Sequence, residues 1–186
     1  ADSSSREDME RCMELARLLH KSGISVNHRF DLRERIHFYE QLCLSHGGIP
    51  FEDYQTVRGW MQELLDQLDR LHRPQVLAHV DLNADNVLIL ENGDARLLDW
   101  EYAGMADPIL DVAMCSIYSY YSFEQAESLL EMYLQRKPSQ EECFVLTAYM
   151  ALSGFLWSLW AVYKSELGEE FGEYTIIMYR YGKNGY

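Results

Sequence analysis

Only four cysteines occur in the 186 residues, Cys12, Cys43, Cys115 and Cys143, and no two form a C-x-x-C pair. Such sparse, scattered thiols argue against a disulfide scaffold or a zinc site and for reduced cysteines in the cytoplasm. Positive charge is scarce too. Sixteen Lys and Arg face 30 Asp and Glu, giving a formal charge of −14. A body this acidic repels phosphate backbones and anionic lipid, so neither a nucleic acid nor a membrane is expected as a partner. No uninterrupted apolar run approaches the ~18 residues of a membrane span. The polar start Ala1-Asp2-Ser3-Ser4-Ser5 does not read as a signal peptide. The eleven glycines include no G-x-G-x-x-G, and Lys21 is the only lysine before residue 81. Internal repeats, low-complexity tracts and linkers are also missing. What remains is globular in composition, 48% hydrophobic and 25% charged. The expectation is an acidic, soluble, cytoplasmic domain.

The first 75 residues read as helices. Ser5 or Asp8 caps a segment whose apolar residues (Met9, Cys12, Met13, Leu15, Ala16, Leu18, Leu19) recur at helical spacing, and Gly23 ends it. Asp31 opens a second helix that stops before Gly47-Gly48-Ile49-Pro50, and a third runs roughly from Glu52 to Leu71. The period then changes. Val76-Leu77-Ala78 reads as a short strand, and residues 87 to 98 as a hairpin about Asn92-Gly93, a pair suited to a turn with two positive φ angles. Helices return after Asp107-Pro108, with capping boxes expected at Ser122/Gln125 and Ser139/Glu142 and a last helix from Glu169 to Tyr181. The fold expected is mostly α with a small β-ribbon, in three consecutive parts: 1–75, 76–104 and 105–186.

Chemistry-bearing residues collect around the strand ends. His79-Val80-Asp81-Leu82-Asn83-Ala84-Asp85-Asn86 fits H-x-D-x-x-x-x-N, the catalytic-loop pattern of kinase-like phosphotransferases. Asp99-Trp100-Glu101 follows the hairpin, where that fold keeps a metal-binding aspartate. A tight loop after a strand points Asp81 at an incoming hydroxyl, and the hairpin returns Asp99 beside Asn86. A carboxylate and an amide oxygen can then share Mg²⁺. Glu101 either reaches a second ion or caps a loop. His79 is read as structural, tying the loop to backbone carbonyls. Asp111 either faces the positive end of a substrate or caps the helix that it opens. The remaining histidines, His20, His28, His37, His46 and His72, stand at no ligand spacing and read as surface or packing residues.

At these residues the sequence resembles the choline/ethanolamine kinase family, in particular its bacterial branch. That family is similar in fold to aminoglycoside phosphotransferases. The likeness rests on Leu98-Asp99-Trp100-Glu101-Tyr102-Ala103-Gly104, Asp107-Pro108, Asp111-Val112-Ala113, Trp157-Ser158-Leu159-Trp160 and Glu170-Phe171-Gly172-Glu173-Tyr174, and it covers essentially the whole chain. It implies the C-terminal lobe of a protein-kinase-like fold, without the N-terminal lobe that carries the Gly-rich loop and strand lysine for ATP. It further implies Mg²⁺- and ATP-dependent phosphorylation of choline to phosphocholine. Asp81 would be the base, and Asn86, Asp99 and Glu101 the metal ligands. Alternatives are ethanolamine or an aminoglycoside as acceptor, or a non-catalytic quaternary-ammonium binder.

Trp157 and Trp160 lie three apart on a helix and share a face. They either pack a core or wall a cage for a quaternary ammonium, which aromatic rings attract through cation–π interaction. The resemblance favours the cage. Tyr118, Phe123 and Tyr174 are further candidates for it, and the acidic residues Glu166, Glu169, Glu170 and Glu173 form a solvated face or enrich cations nearby.

Overall fold

The computed structural model describes residues 1–186. They form two compact units, each built from two stretches of chain: Ala1–Phe30 with Arg73–Tyr149, and Asp31–His72 with Met150–Tyr186. The architecture is mostly helical with two antiparallel two-stranded ribbons.

In the first unit, helix α1 (Arg6–His20) starts where Ser5 accepts the Asp8 N–H, and it buries Met9, Cys12, Met13 and Ala16. Strand β1 (Val76–Ala78) pairs with β4 (Gly104–Ala106), Val76 opposite Ala106 and Ala78 opposite Gly104. Nothing in Gly-Met-Ala announces a strand; β4 exists because distant partners flank it. On its other side the Phe30 N–H donates to the Met105 carbonyl (3.1 Å) and the Met105 N–H to that of His28 (2.8 Å). A Cβ on Gly104 would lie 2.9 Å from the His28 ring, so glycine is required there.

Strands β2 (Val87–Ile89) and β3 (Ala95–Leu97) form the expected hairpin, but its turn differs. Only Gly93 has positive φ (+86°). Its N–H donates to the Leu90 carbonyl, and the Leu90 N–H to that of Asp94, both at 2.8 Å. This is a three-residue loop with a left-handed glycine. In such a loop only the glycine needs positive φ, and Asn92 Oδ1 accepts the Asp94 N–H. The Arg11 guanidinium donates to the Gly93 carbonyl (2.7 Å) and ties the turn to α1.

Helix α4 (Pro108–Tyr118) is capped by Asp107, whose Oδ1 accepts the Ile109 N–H (2.8 Å) and whose Oδ2 takes Arg73 Nε (2.7 Å). Every residue from Ile109 to Ile117 is buried, so this helix is the core of its unit. Both capping boxes form. Ser122 and Gln125 open α5 (Phe123–Leu134), and Ser139 and Glu142 open α6 (Gln140–Glu166). Arg136 grips Glu142 with two nitrogens and holds its carboxyl down at about 2. Ser122→Ala and Ser139→Ala should each cost about 1 kcal/mol, read as a fall of roughly 2–4 °C in Tm. Unchanged melting would mean that these boxes add nothing to stability.

By length and composition α6 is apolar enough to cross a membrane, although no segment was expected to be. Its most apolar window is 83% buried inside the protein, as in a core helix.

The second unit contains α2 (Leu32–His46), capped by Asp31 and ended at Gly47, and α3 (Tyr54–Asp69). It also holds the greater part of α6 and all of α7 (Tyr174–Asn184). Helix α7 starts five residues later than expected, because Gly172 turns the chain at φ +54°. Tyr54 stacks near Phe155, and Phe51 on Tyr179.

Candidate active site

The chain leaves β1 through a buried His79-Val80 pair and bends sharply. Val80 has φ +69°, a conformation that costs a β-branched residue about 1–3 kcal/mol. Asp111 offsets that cost. Its Oδ1 accepts the Val80 N–H (2.6 Å) and its Oδ2 the His79 N–H (2.9 Å). After the bend Asp81 emerges half-buried. Its carboxylate accepts Asn86 Nδ2 (2.7 Å), Asn83 Nδ2 (3.3 Å) and the Tyr118 hydroxyl. Burial nevertheless raises the carboxyl above its ordinary value, against the opposing pull of Tyr118 and Asn86. A carboxylate so tuned is a stronger proton acceptor.

Asn86 spends its amide hydrogens on Asp81, at the carboxylate and the backbone carbonyl (2.9 Å). Its own side-chain oxygen is thereby turned to other use. The Leu98 N–H donates to the Asn86 carbonyl (2.9 Å), and His79 Nε2 donates to the Leu98 carbonyl (2.8 Å). The peptide preceding Asp99 is therefore pinned from both sides, which sets Asn86 and Asp99 at the same end of the ribbon. Asp99 is exposed, at φ +58°. No group of three or more His, Cys, Asp or Glu side chains gathers into a closed cage. An amide oxygen with one carboxylate fits Mg²⁺ instead, since that ion keeps water and substrate oxygens among its ligands. Glu101 stands exposed in the next turn. Trp100 donates its indole N–H to the Leu97 carbonyl and sets its ring 4.9 Å from that of His79.

One expectation is corrected. Asp111 neither caps α4, which Asp107 does, nor meets a substrate, because it is fully buried with both oxygens committed to the loop backbone. Tyr118, expected among the choline contacts, bonds to Asp81. The two lie seven residues apart, on one face of α4, so that single face braces the loop at two points. Asn83 was missed. Its Oδ1 accepts the Asn86 N–H (3.0 Å) and shapes the 3₁₀ turn Ala84–Asn86, a role that an asparagine just before a turn could have signalled. Phe123 is half-buried at the start of α5.

In the second unit Trp157 is buried and Trp160 half-buried, their rings edge-to-face at 6.0 Å. Phe171 lies 4.9 Å from Trp160 and 6.2 Å from Tyr174. Trp157, Trp160 and Tyr174 are therefore parts of one aromatic cluster, with Phe171 as the link that the sequence did not single out. The Lys164 ammonium sits 5.8 Å from the Trp160 ring centroid, so this ring already hosts a cation.

Residues 2–143 match the sequence profile of the phosphotransferase enzyme family. The chain belongs to that family. It is 31% identical over 166 residues to Protein LicA of Haemophilus influenzae, an alignment covering 85% of this chain and 61% of that protein. The fold superimposes on the crystal structure of choline kinase LicA from Streptococcus pneumoniae with a TM-score of 0.86 at 31% identity, over 99% of this chain and 65% of that one. A structure of LicA in complex with AMP gives a TM-score of 0.86 at 30% identity, over 99% and 63%. This member of the family thus spans about three fifths of the length of these relatives.

Proposed function

We propose that this chain supplies the catalytic loop and the acceptor-binding part of an ATP-dependent choline kinase acting in the cytoplasm. The observation that carries the reading is Asp81: a buried-side carboxylate, raised by desolvation, fixed by Asn83, Asn86 and Tyr118. Asp81 accepts the proton of the choline hydroxyl as that oxygen attacks the γ-phosphorus of ATP. The new P–O bond forms while the β,γ-bridging bond breaks, giving phosphocholine and ADP. Asn86 and Asp99 would hold Mg²⁺, with Glu101 as a further carboxylate, and the ion would neutralise triphosphate charge. The AMP complex of a 30% identical relative supports a nucleotide as phosphoryl donor. So does an apolar surface on the ribbon. Leu88 and Leu90 share the face of Asn86, as does Leu98 on the neighbouring strand, and all three are exposed.

Choline is favoured over other acceptors by the aromatic cluster. A quaternary ammonium cannot donate hydrogen bonds and is held by π-faces, at about 0.5–2 kcal/mol per ring. A primary amine calls for carboxylates, and Asp111, the buried candidate, is engaged elsewhere. The intact protein should phosphorylate choline with kcat/KM at least about tenfold above ethanolamine or kanamycin. Trp160→Ala should raise the KM for choline by roughly 10–30-fold, the loss of about 1.4–2 kcal/mol of ring contact. Preference for either amine, or an unchanged KM in the variant, would overturn choline as the acceptor.

A further inference from the structure

We infer that Lys164 sets the acceptor preference of the aromatic cluster by occupying Glu169, the carboxylate that a primary ammonium would otherwise use. The inference deepens the choline reading of that cluster and rests on it. It begins from the cation that the protein itself places near the Trp160 ring.

Lys164 follows Trp160 by one helical turn near the end of α6, so the two side chains share a face. Its ammonium lies 5.8 Å from the Trp160 ring centroid and donates to Glu169 Oε1 at 2.8 Å. The backbone holds this bridge as well. The Lys164 carbonyl accepts the Leu167 N–H (3.0 Å) and the Glu169 N–H (3.2 Å), so the chain curls back over the last turn of α6. Gly168, at φ +92°, permits that reversal. The same segment runs on into Phe171, 4.9 Å from Trp160. Glu166, the acid that ends the helix, is directed elsewhere. Its carboxyl atoms lie 2.6–2.8 Å from the point where a Cβ on Gly47 would stand.

The pair has little to do for the fold. The Lys164 side chain is 33% exposed and that of Glu169 50%, and ion pairs in such positions contribute little to stability. Its consequence is for recognition. A π-face attracts cations of either kind. A carboxylate separates them, because a primary ammonium donates hydrogen bonds to it and a trimethylammonium has none to donate. With Lys164 in place, the charge of Glu169 is balanced and one of its oxygens is taken. What Lys164 leaves beside Trp160 is aromatic surface, which suits choline, and a neutralised acid, which offers ethanolamine little.

The test measures kcat/KM for choline and for ethanolamine in the intact protein with ATP. Lys164→Met frees Glu169 and keeps an apolar stem beside the ring. It should raise kcat/KM for ethanolamine about 5–10-fold through a lower KM, as a new charge-assisted hydrogen bond at a partly exposed site would, and that for choline less than about twofold. The preference for choline should therefore shrink by roughly 3–10-fold. In the double variant Lys164→Met/Glu169→Gln it should return to within about twofold of wild type, because the gain passes through Glu169. An unchanged preference in Lys164→Met, or a shift that persists in the double variant, overturns the proposal. Should the methionine variant not fold, Lys164→Gln takes its place with the same outcomes. If the wild type prefers ethanolamine, the choline reading fails, while the dependence of the gain on Glu169 still decides the role of Lys164. If the protein phosphorylates neither amine, titration of its tryptophan fluorescence with each decides the same comparison as a ratio of Kd values.

Discussion

Asp81→Asn in the intact protein is expected to lower kcat for choline phosphorylation by about 10²–10⁴-fold, the contribution of a positioned general base. The folded state should survive the change. The carboxyl of Asp81 is raised by burial, with Tyr118 and Asn86 opposing that shift. A carboxylic acid whose folded value exceeds its unfolded one destabilises the protein at neutral pH, and that penalty disappears as pH falls below the folded value. A neutral amide of the same shape removes the penalty, at the cost of setting one amide nitrogen against the Asn83 donor. Tm should therefore stay close to the wild-type value while turnover collapses. Choline-dependent tryptophan fluorescence, reporting on Trp157 and Trp160, should also persist. Loss of turnover with melting and choline response intact separates a base from a structural carboxylate. Wild-type turnover in Asp81→Asn would remove Asp81 from the mechanism and leave the proton to another acceptor.

The parts of this site that were legible in the sequence are those whose chemistry is local. Ser122 and Gln125, like Ser139 and Glu142, bond to one another's backbone within a single turn, so four consecutive residues suffice to announce them. The octet His79 to Asn86 is legible for a related reason: its loop is short enough that side-chain type and spacing define its geometry. What escaped is non-local. Strand β4 is specified by β1 and by residues 28–30 rather than by its own three side chains. Asp111 stands at a place where helix-opening acids are common, and only the fold reveals that its partners lie 31 and 32 residues earlier. Tyr118 was grouped with other aromatics because a tyrosine ring suits a cage, but its hydroxyl serves Asp81. Composition reports the ring and is silent about the direction of the O–H. The interleaving of the two units belongs to the same class: residues 31–72 read as two further helices of a helical first part, and their packing partners come more than 100 residues later, as in Phe51 on Tyr179.

Asp111→Asn is expected to act differently from Asp81→Asn, by weakening the fold as well as the chemistry. The side chain is fully buried and accepts three donors: the His79 and Val80 amides and His20 Nε2. An asparagine offers one acceptor oxygen and one NH₂, so at least one buried donor must face another. Breaking such an arrangement costs about 2–5 kcal/mol, or a fall in Tm of roughly 5–15 °C at this chain length. Part of that cost is offset at Val80, since loosening the Asp111 clamp lets this residue leave φ +69° and recover its strain. Glycine adopts that angle without strain. In a Val80→Gly background there is no strain to recover, so the penalty of Asp111→Asn should grow by up to that strain, about 1–3 kcal/mol. The packing lost with the valine side chain enters both arms of the cycle and cancels. Urea unfolding of the wild type, both single variants and the double variant measures this directly. A penalty of the same size in both backgrounds would show that Asp111 merely satisfies amides, and that the bend delivering Asp81 is held by something else.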